Sequence, residues 1–313
     1  MARPDADKVR RVGIIGSGLI GASWTALFLG QGMQVATYDE RDDAEARVRE
    51  GIDRAGPALA QQGLDASRGT LIVCDTIDEA CDGAGFVQES VFENLAVKRE
   101  IVKQVDAATA PEVVIASSSS GLLPSSIAKH CAHPERILVG HPFNPPYLIP
   151  LVEVVGGEKT DSKAMDWAME FYAAVGKRPI RCKKEVPGYV ANRLQSAVFR
   201  EIMHLIKEDV ASVEDIDRSI SHGPGLRWAV QGPVLTFHQA HDKGMAAFIK
   251  NFEPEITAWT DAGRIALEDD QRARLIAGAE ALADGRSHRE LAAIRDAVVL
   301  ATLTAKDENG GNE

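Results

Sequence analysis

An α/β fold followed by an all-helical domain is what three features of the sequence predict. A glycine-rich turn joins an apolar strand to a helix at residues 11–22, strand and helix patterns alternate as far as Cys182, and helical periodicity takes over after Pro187. Alternating strands and helices imply a doubly wound, Rossmann-type parallel sheet with helices on both faces. The expected layout is therefore a nucleotide-binding sheet domain over residues 1–185 and a helical domain over 186–306, which would supply a substrate wall and a subunit interface. A flexible polar tail is expected over 307–313.

The first strand, Arg11-Val12-Gly13-Ile14-Ile15, breaks into Gly16-Ser17-Gly18-Leu19-Ile20-Gly21. In such a turn Gly16 permits the tight reversal and Gly18 lets backbone approach a pyrophosphate. Gly21 lets the helix pack close to the strand, so that anionic oxygens meet the helix N-terminus at Leu19 and Ile20. The spacing alone does not decide the matter, but a second strand, Gln34 to Tyr38, ends in Asp39, close to the offset at which an acid takes the ribose hydroxyls. Asp39 opposes the extra phosphate of NADP, with only Arg41 nearby to offset it, so NAD is the expected cofactor.

The remaining elements follow in order. Helical spacing covers 41–62 and strands are expected at 71–74, 85–89, 113–116, 136–140, 150–155 and 179–182. Helices are expected at 76–81, 94–108 and 161–175. Ligands of such sheets bind beyond the carboxyl ends of the strands, which brings forward three polar clusters: Glu89 to Asn94, Ser117 to Gly121, and His141 to Pro146. Glu153 interrupts an otherwise apolar strand, and an acid there needs a partner unless it faces solvent. Beyond Pro187, Val190, Leu194, Val198, Ile202, Ile206 and Val210 recur every four residues, and Ser212 to Asp215 resembles a helix start with an acidic first turn. Gly223-Pro224-Gly225, Gly232-Pro233 and Asp284-Gly285 read as breaks between helices.

Bulk properties narrow the function. A length of 313 residues suggests two domains, and the net charge of −11 argues against a nucleic-acid surface. The first ten residues are charged and no apolar run approaches ~18 residues, so neither a secretory signal nor a membrane span is expected and the cytoplasm is the expected compartment. Cys74, Cys81, Cys131 and Cys182 form no paired motif and no metal-like cluster with the histidines; reduced, buried thiols and no bound metal are expected.

With His141-Pro142-Phe143-Asn144-Pro145-Pro146 followed by Leu151-Val152-Glu153-Val154-Val155, the chain resembles the NAD-dependent L-3-hydroxyacyl-CoA dehydrogenase family. The glycine turn, Glu93 to Lys98, the serine run Ser117 to Ser120, and Pro187-Gly188-Tyr189-Val190-Ala191-Asn192-Arg193 agree with it, and the likeness extends from about Val12 to Ala240. The resemblance implies that His141 and Glu153 are the catalytic pair, that Ser120 and Asn192 hold the substrate oxygen and position the imidazole, and that Glu93 and Lys98 line the nicotinamide and ribose. Chemistry agrees for His141, because an imidazole can take a hydroxyl proton as hydride leaves carbon. Ser117 to Ser119 are expected to be loop residues without a role.

Within the family, Asn144 to Glu153 and Gly225-Leu226-Arg227-Trp228 look most like the λ-crystallin and L-gulonate 3-dehydrogenase branch, near carnitine 3-dehydrogenase. That implies a small 3-hydroxy acid, most like L-gulonate, with carnitine and a short-chain L-3-hydroxyacyl-CoA as alternatives. A non-catalytic crystallin-like role is the alternative of another class. Arg227 would pair with a substrate carboxylate and Trp228 could face a trimethylammonium group. A homodimer through the helical domain is expected.

Overall fold

The computed structural model describes residues 3–230, 232–240, 247–248, 251, 268–270, 273 and 285–308. Eight strands form one sheet: β1 (Arg11–Ile15), β2 (Gln34–Tyr38), β3 (Thr70–Val73), β4 (Phe86–Glu89), β5 (Val114–Ser117), β6 (Ile137–Pro142), β7 (Leu151–Gly156) and β8 (Arg178–Cys182). Their order is β3-β2-β1-β4-β5-β6-β7-β8, so the chain reverses its direction of travel at β1, which has β2 on one side and β4 on the other. That switch point opens a crevice at the carboxyl ends of β1 and β4.

The expected parallel sheet holds for every pair except β6 with β7, which run antiparallel. The connection explains the difference. Only Phe143 to Pro150 separate these strands, too short for the crossover a parallel neighbour requires. Antiparallel pairing sets His141 directly opposite Glu153, so the two side chains leave the same face of the sheet within reach of each other.

Helices fill the crossovers. They are α1 (Leu19–Gly30), α2 (Ala44–Gln61), α3 (Ile77–Cys81), α4 (Leu95–Ala108), α5 (Pro124–Ile127) and α6 (Ser162–Ala174). Thr76, Asn94 and Asp161 cap α3, α4 and α6 through side-chain acceptors, which fixes where each begins. One sheet face carries Ile15, Val87, Ile115, Val139 and Val155 against Val102, Val105, Ile127 and Tyr189. The alternate positions carry Phe86 and Gln88, and there Trp24, Phe28, Phe171 and Tyr172 pack with Phe86 as an aromatic cluster.

Away from the crevice, Arg136 is fully buried and bonds to Asp106 Oδ1 at 2.6 Å, to the carbonyls of Asp106, Thr109 and Val113, and to that of Ala110. The guanidinium ties the C-terminal end of α4 to the segment that leads into β6.

The chain divides into compact units at Arg193/Leu194. In the second unit the described helices are the greater part of α7 (Ala191–Lys207), α8 (Val213–Ser221), α9 (Pro224–Val230), α10 (Pro233–Gln239) and α11 (His288–Glu308). Ser212 caps α8 as its sequence suggests. Three expectations need correction. The helix after Pro187 starts only at Ala191, because Gly188 and Tyr189 adopt positive φ (74° and 49°) and form a turn. Pro224 and Gly225 open α9 instead of forming a loop, so Arg227 and Trp228 are helical. Asp307 and Glu308 continue α11 instead of starting a loose tail; the rest of the expected tail, 309–313, and residues 252–267 lie outside the described residues.

Candidate active site

The turn after β1 is built as its glycines suggest. Gly16 has φ 106°, and a Cβ there would lie 2.7 Å from the Ser90 backbone. At Gly21 a Cβ would lie 1.8 Å from the Gly16 carbonyl oxygen, whereas at Gly18 it would meet nothing within 4 Å. The three positions differ in kind: two are held by neighbouring backbone and one faces open space. No side chain caps α1, whose N-cap is Gly18, so its first amides remain for an anionic ligand.

Asp39 ends β2 beside this turn. One carboxylate oxygen accepts from the Ser17 amide at 2.6 Å and hydroxyl at 3.0 Å, and the other from the Arg41 amide. The Arg41 side chain turns away to Asp43 at 3.0 Å. An open, uncapped helix start beside an unneutralised carboxylate fits a dinucleotide with free ribose hydroxyls. These residues would hold NAD, which when bound accepts the hydride. Gly21→Ala is expected to destabilise the sheet unit by about 1–3 kcal/mol and to weaken NAD binding by about tenfold in calorimetric titration. Unchanged affinity would contradict the close approach.

Where the carboxyl end of β6 lies beside the amino-terminal half of β7, His141 Nδ1 is 2.8 Å from Glu153 Oε2. His141 is 5% exposed and Glu153 not at all. The other Glu153 oxygen accepts from the Val190 and Ala191 amides at 2.9 and 3.0 Å. This is what the turn at Gly188 and Tyr189 accomplishes: it aims the amides at the entry to α7 at the carboxylate. Burial opposes ionisation of Glu153, but the hydrogen bonds from His141 and from both amides outweigh it and hold the carboxyl below its usual range.

With Nδ1–H donated to Glu153, the neutral imidazole carries its lone pair on Nε2, which has no hydrogen-bond partner among the described residues. Phe143 and Tyr189 flank the ring at 5.1 and 5.5 Å between centroids. The arrangement is an imidazole oriented through one nitrogen, with the other without a hydrogen-bond partner among the described residues.

Asn192, in the first turn of α7, donates from Nδ2 to the Ser120 carbonyl at 2.9 Å. Glu93 accepts from the hydroxyl of Ser119 at 2.7 Å and from the amides of Ser120 and Gly121. The Ser120 hydroxyl lies 3.3 Å from the same oxygen. Burial works against ionisation of Glu93 too, yet Ser119, Lys98 and the two amides leave it below its usual range.

Two expectations about this rim change. Lys98, placed beside the cofactor by resemblance, is 1% exposed, with Nζ at 2.7 Å from Glu89 and 3.5 Å from Glu93. Ser117 and Ser119 are not idle loop residues. The Ser117 hydroxyl donates to Glu89 at 2.5 Å, and Ser119 holds Glu93. Sequence reading placed Glu89 in the polar cluster after β4 and gave it no partner, although it is an acid at the end of its strand.

It passed over Lys177. Its Nζ donates to the Pro146 and Ile149 carbonyls, anchoring the link between β6 and β7, and lies 5.4 Å from the Trp24 ring. Burial pushes its pKa down to about 7. The four cysteines are free, Cys131 and Cys182 being only half-buried. Burial first of all pushes the Cys81 and Cys131 thiols up to about 12 and Cys182 up to about 11, which keeps them protonated and unreactive. Arg227 is exposed and Trp228 half-buried in α9, within the second unit.

Comparison with known proteins bears on the fold and the cofactor. Residues 11–186 match the NAD-binding domain of 3-hydroxyacyl-CoA dehydrogenase and residues 188–261 its C-terminal domain. An L-carnitine dehydrogenase of Streptomyces coelicolor is 47% identical over 311 residues, covering 98% of both chains. One of Streptomyces griseus subsp. griseus is 48% identical over 303 residues, covering 96% of this chain and 90% of the other. Among solved structures, 5-formyl-3-hydroxy-2-methylpyridine 4-carboxylic acid 5-dehydrogenase, an NAD-dependent dismutase, is similar at TM-score 0.82 and 27% identity, covering 96% of this chain and 99% of that one. The expectation of L-gulonate as substrate finds no support among these relatives, whose names bear out the nearness to carnitine dehydrogenases. With NAD as cofactor and oxidation of the 3-hydroxyacyl type as its reaction class, the chain belongs to the 3-hydroxyacyl-CoA dehydrogenase family.

Proposed function

We propose that this protein oxidises the 3-hydroxyl of L-carnitine to the 3-keto compound with NAD. The observation that carries the reaction is the buried His141–Glu153 pair on adjacent strands of the sheet, with Nδ1 committed to the acid and Nε2 left to take the hydroxyl proton. The 40–48% identity to proteins named L-carnitine dehydrogenase supports the substrate. In this reading Glu153 fixes the tautomer and stabilises the imidazolium that forms, while Ser120 and Asn192 hold the substrate oxygen. Glu93 and Lys98 order the serine loop beside the nicotinamide and ribose.

Carnitine carries a carboxylate and a trimethylammonium group. Arg227 takes the former as a planar fork and Trp228 the latter with its ring face. A homodimer through the helical domain is part of the same reading, supported by the exposed apolar side chains Leu194, Val198 and Phe199 on α7. No helix among the described residues is long and apolar enough to cross a membrane, and we place the enzyme in the cytoplasm.

The test is NADH formation with L-carnitine, L-gulonate and L-3-hydroxybutyryl-CoA offered in parallel. L-carnitine is expected to exceed both in kcat/KM by about tenfold or more, and Arg227→Met to raise KM for L-carnitine about tenfold while sparing its amide. Preference for either competitor would overturn the substrate, and NAD binding without any turnover would favour a crystallin-like role.

A further inference from the structure

Behind the strand that carries His141, on the opposite face of the sheet, lies a buried polar group with no part in the chemistry described above. Gln88, on β4, is fully buried. Its Nε2 donates to the Ser118 hydroxyl at 2.8 Å and to the carbonyl of Gly140 at 3.3 Å, and its Oε1 accepts from the Tyr172 hydroxyl at 2.6 Å. Tyr172 is itself fully buried, and burial, only partly offset by its bond to Gln88, holds its ionisation well above the ordinary value. It therefore remains a donor.

The contact with β6 is direct. A Cβ on residue 140 would lie 1.9 Å from the Tyr172 hydroxyl oxygen, so the phenol rests against the Gly140 backbone where no other residue fits. Tyr172 cannot easily swing aside, because the rings of Trp24, Phe86 and Phe171 surround it at 5.7, 5.7 and 5.8 Å. Gly140 immediately precedes His141. A glutamine and a tyrosine, each buried and each satisfied by the other, thus fix the height of the backbone from which the imidazole projects. An apolar pair would fill the space, but it would not hold the Gly140 carbonyl in direction.

We infer that Gln88 and Tyr172 are positioning residues for the catalytic base: together they set the backbone at Gly140 so that His141 Nδ1 meets Glu153 and Nε2 meets the substrate hydroxyl. The inference rests on the reading of His141 as the base. Displacing an aligned group by a fraction of an ångström costs far more in rate than in binding, so the signature is a fall in kcat with little change in cofactor affinity.

The test uses Tyr172→Phe, which removes one oxygen and keeps the ring, with Gln88→Leu as a second variant. Both are studied below their melting temperatures, as judged by circular dichroism. Each is expected to lower kcat for L-carnitine about tenfold with NAD affinity within about twofold of wild type. In the cofactor-free protein, the hydrogen-bonded Nδ1 proton of His141 is expected to shift or broaden in the proton NMR spectrum. A simple packing role would lower Tm and leave that resonance in place. An unmoved resonance or an unchanged kcat in Tyr172→Phe would overturn the inference, even if Gln88→Leu fails to fold. If the wild-type protein does not oxidise L-carnitine, the proposed substrate falls, and the Nδ1 resonance still decides this point separately.

Discussion

His141→Gln is expected to lower kcat by about 10²- to 10⁴-fold while leaving NAD affinity nearly unchanged. The variant amide can still donate to Glu153 and fill much of the space, so the pocket survives. What disappears is a group able to accept the hydroxyl proton as hydride departs. NAD affinity is spared because the turn at Gly16 to Gly21 follows β1, whereas His141 lies near the end of β6, with β4 and β5 between them. Steady-state kinetics paired with calorimetric titration of NAD separates the two effects. Near-normal turnover would refute the assignment of the base.

Arg136→Met is expected to cost about 3–5 kcal/mol of stability, which for a unit of this size lowers Tm by about 10 °C. Methionine fills part of the volume but supplies no donor. Asp106 would keep the Ala132 and His133 amides at 2.6 and 3.1 Å, yet its negative charge would lose the only cation bonded to it among the described residues, and the four carbonyls would lose theirs. Differential scanning calorimetry measures the effect. A Tm within a degree or two of wild type would mean that water or a shifted side chain replaces the guanidinium.

Much of the fold was legible because each signal was local. Local runs marked every strand of the sheet, and the helical patterns starting at Thr76, Asn94, Asp161 and Ser212 begin where the structure shows these residues as caps. The antiparallel turn of β7 was less accessible, since direction depends on what the connection can span and not on the strand's own pattern. The glycine turn could be read because its residue types have few other uses together, and the His141–Glu153 pair because the family resemblance pointed to it. Gln88, Tyr172 and Lys177 could not. Each looks ordinary in sequence, and each acquires meaning from a partner tens of residues away: Gly140 for Gln88, Gln88 for Tyr172, and the Pro146 and Ile149 carbonyls for Lys177. Glu89 lay between these cases. An acid closing its strand was visible, but its bonds to Lys98 and Ser117 were not.

The placement of Arg227 shows a different limit. Gly223-Pro224-Gly225 has the composition of a loop, but Pro224 suits the first turn of a helix as well, and α9 begins there. A Cβ at Gly225 would lie 2.6 Å from the Ile220 carbonyl oxygen, so this glycine permits close packing with α8 where the sequence suggested a break. Composition identified the residue and missed the reason for it.

The central claim is that the Nε2 atom of His141, oriented through Nδ1 by Glu153, takes the proton from the substrate hydroxyl. A crystal structure of the complex with NAD and L-carnitine tests it most directly. The account predicts the 3-hydroxyl oxygen about 2.6–3.2 Å from His141 Nε2, with the bond from Nδ1 to Glu153 intact. A hydroxyl bound out of reach of Nε2, or a His141 ring turned away from Glu153 in that complex, would contradict it.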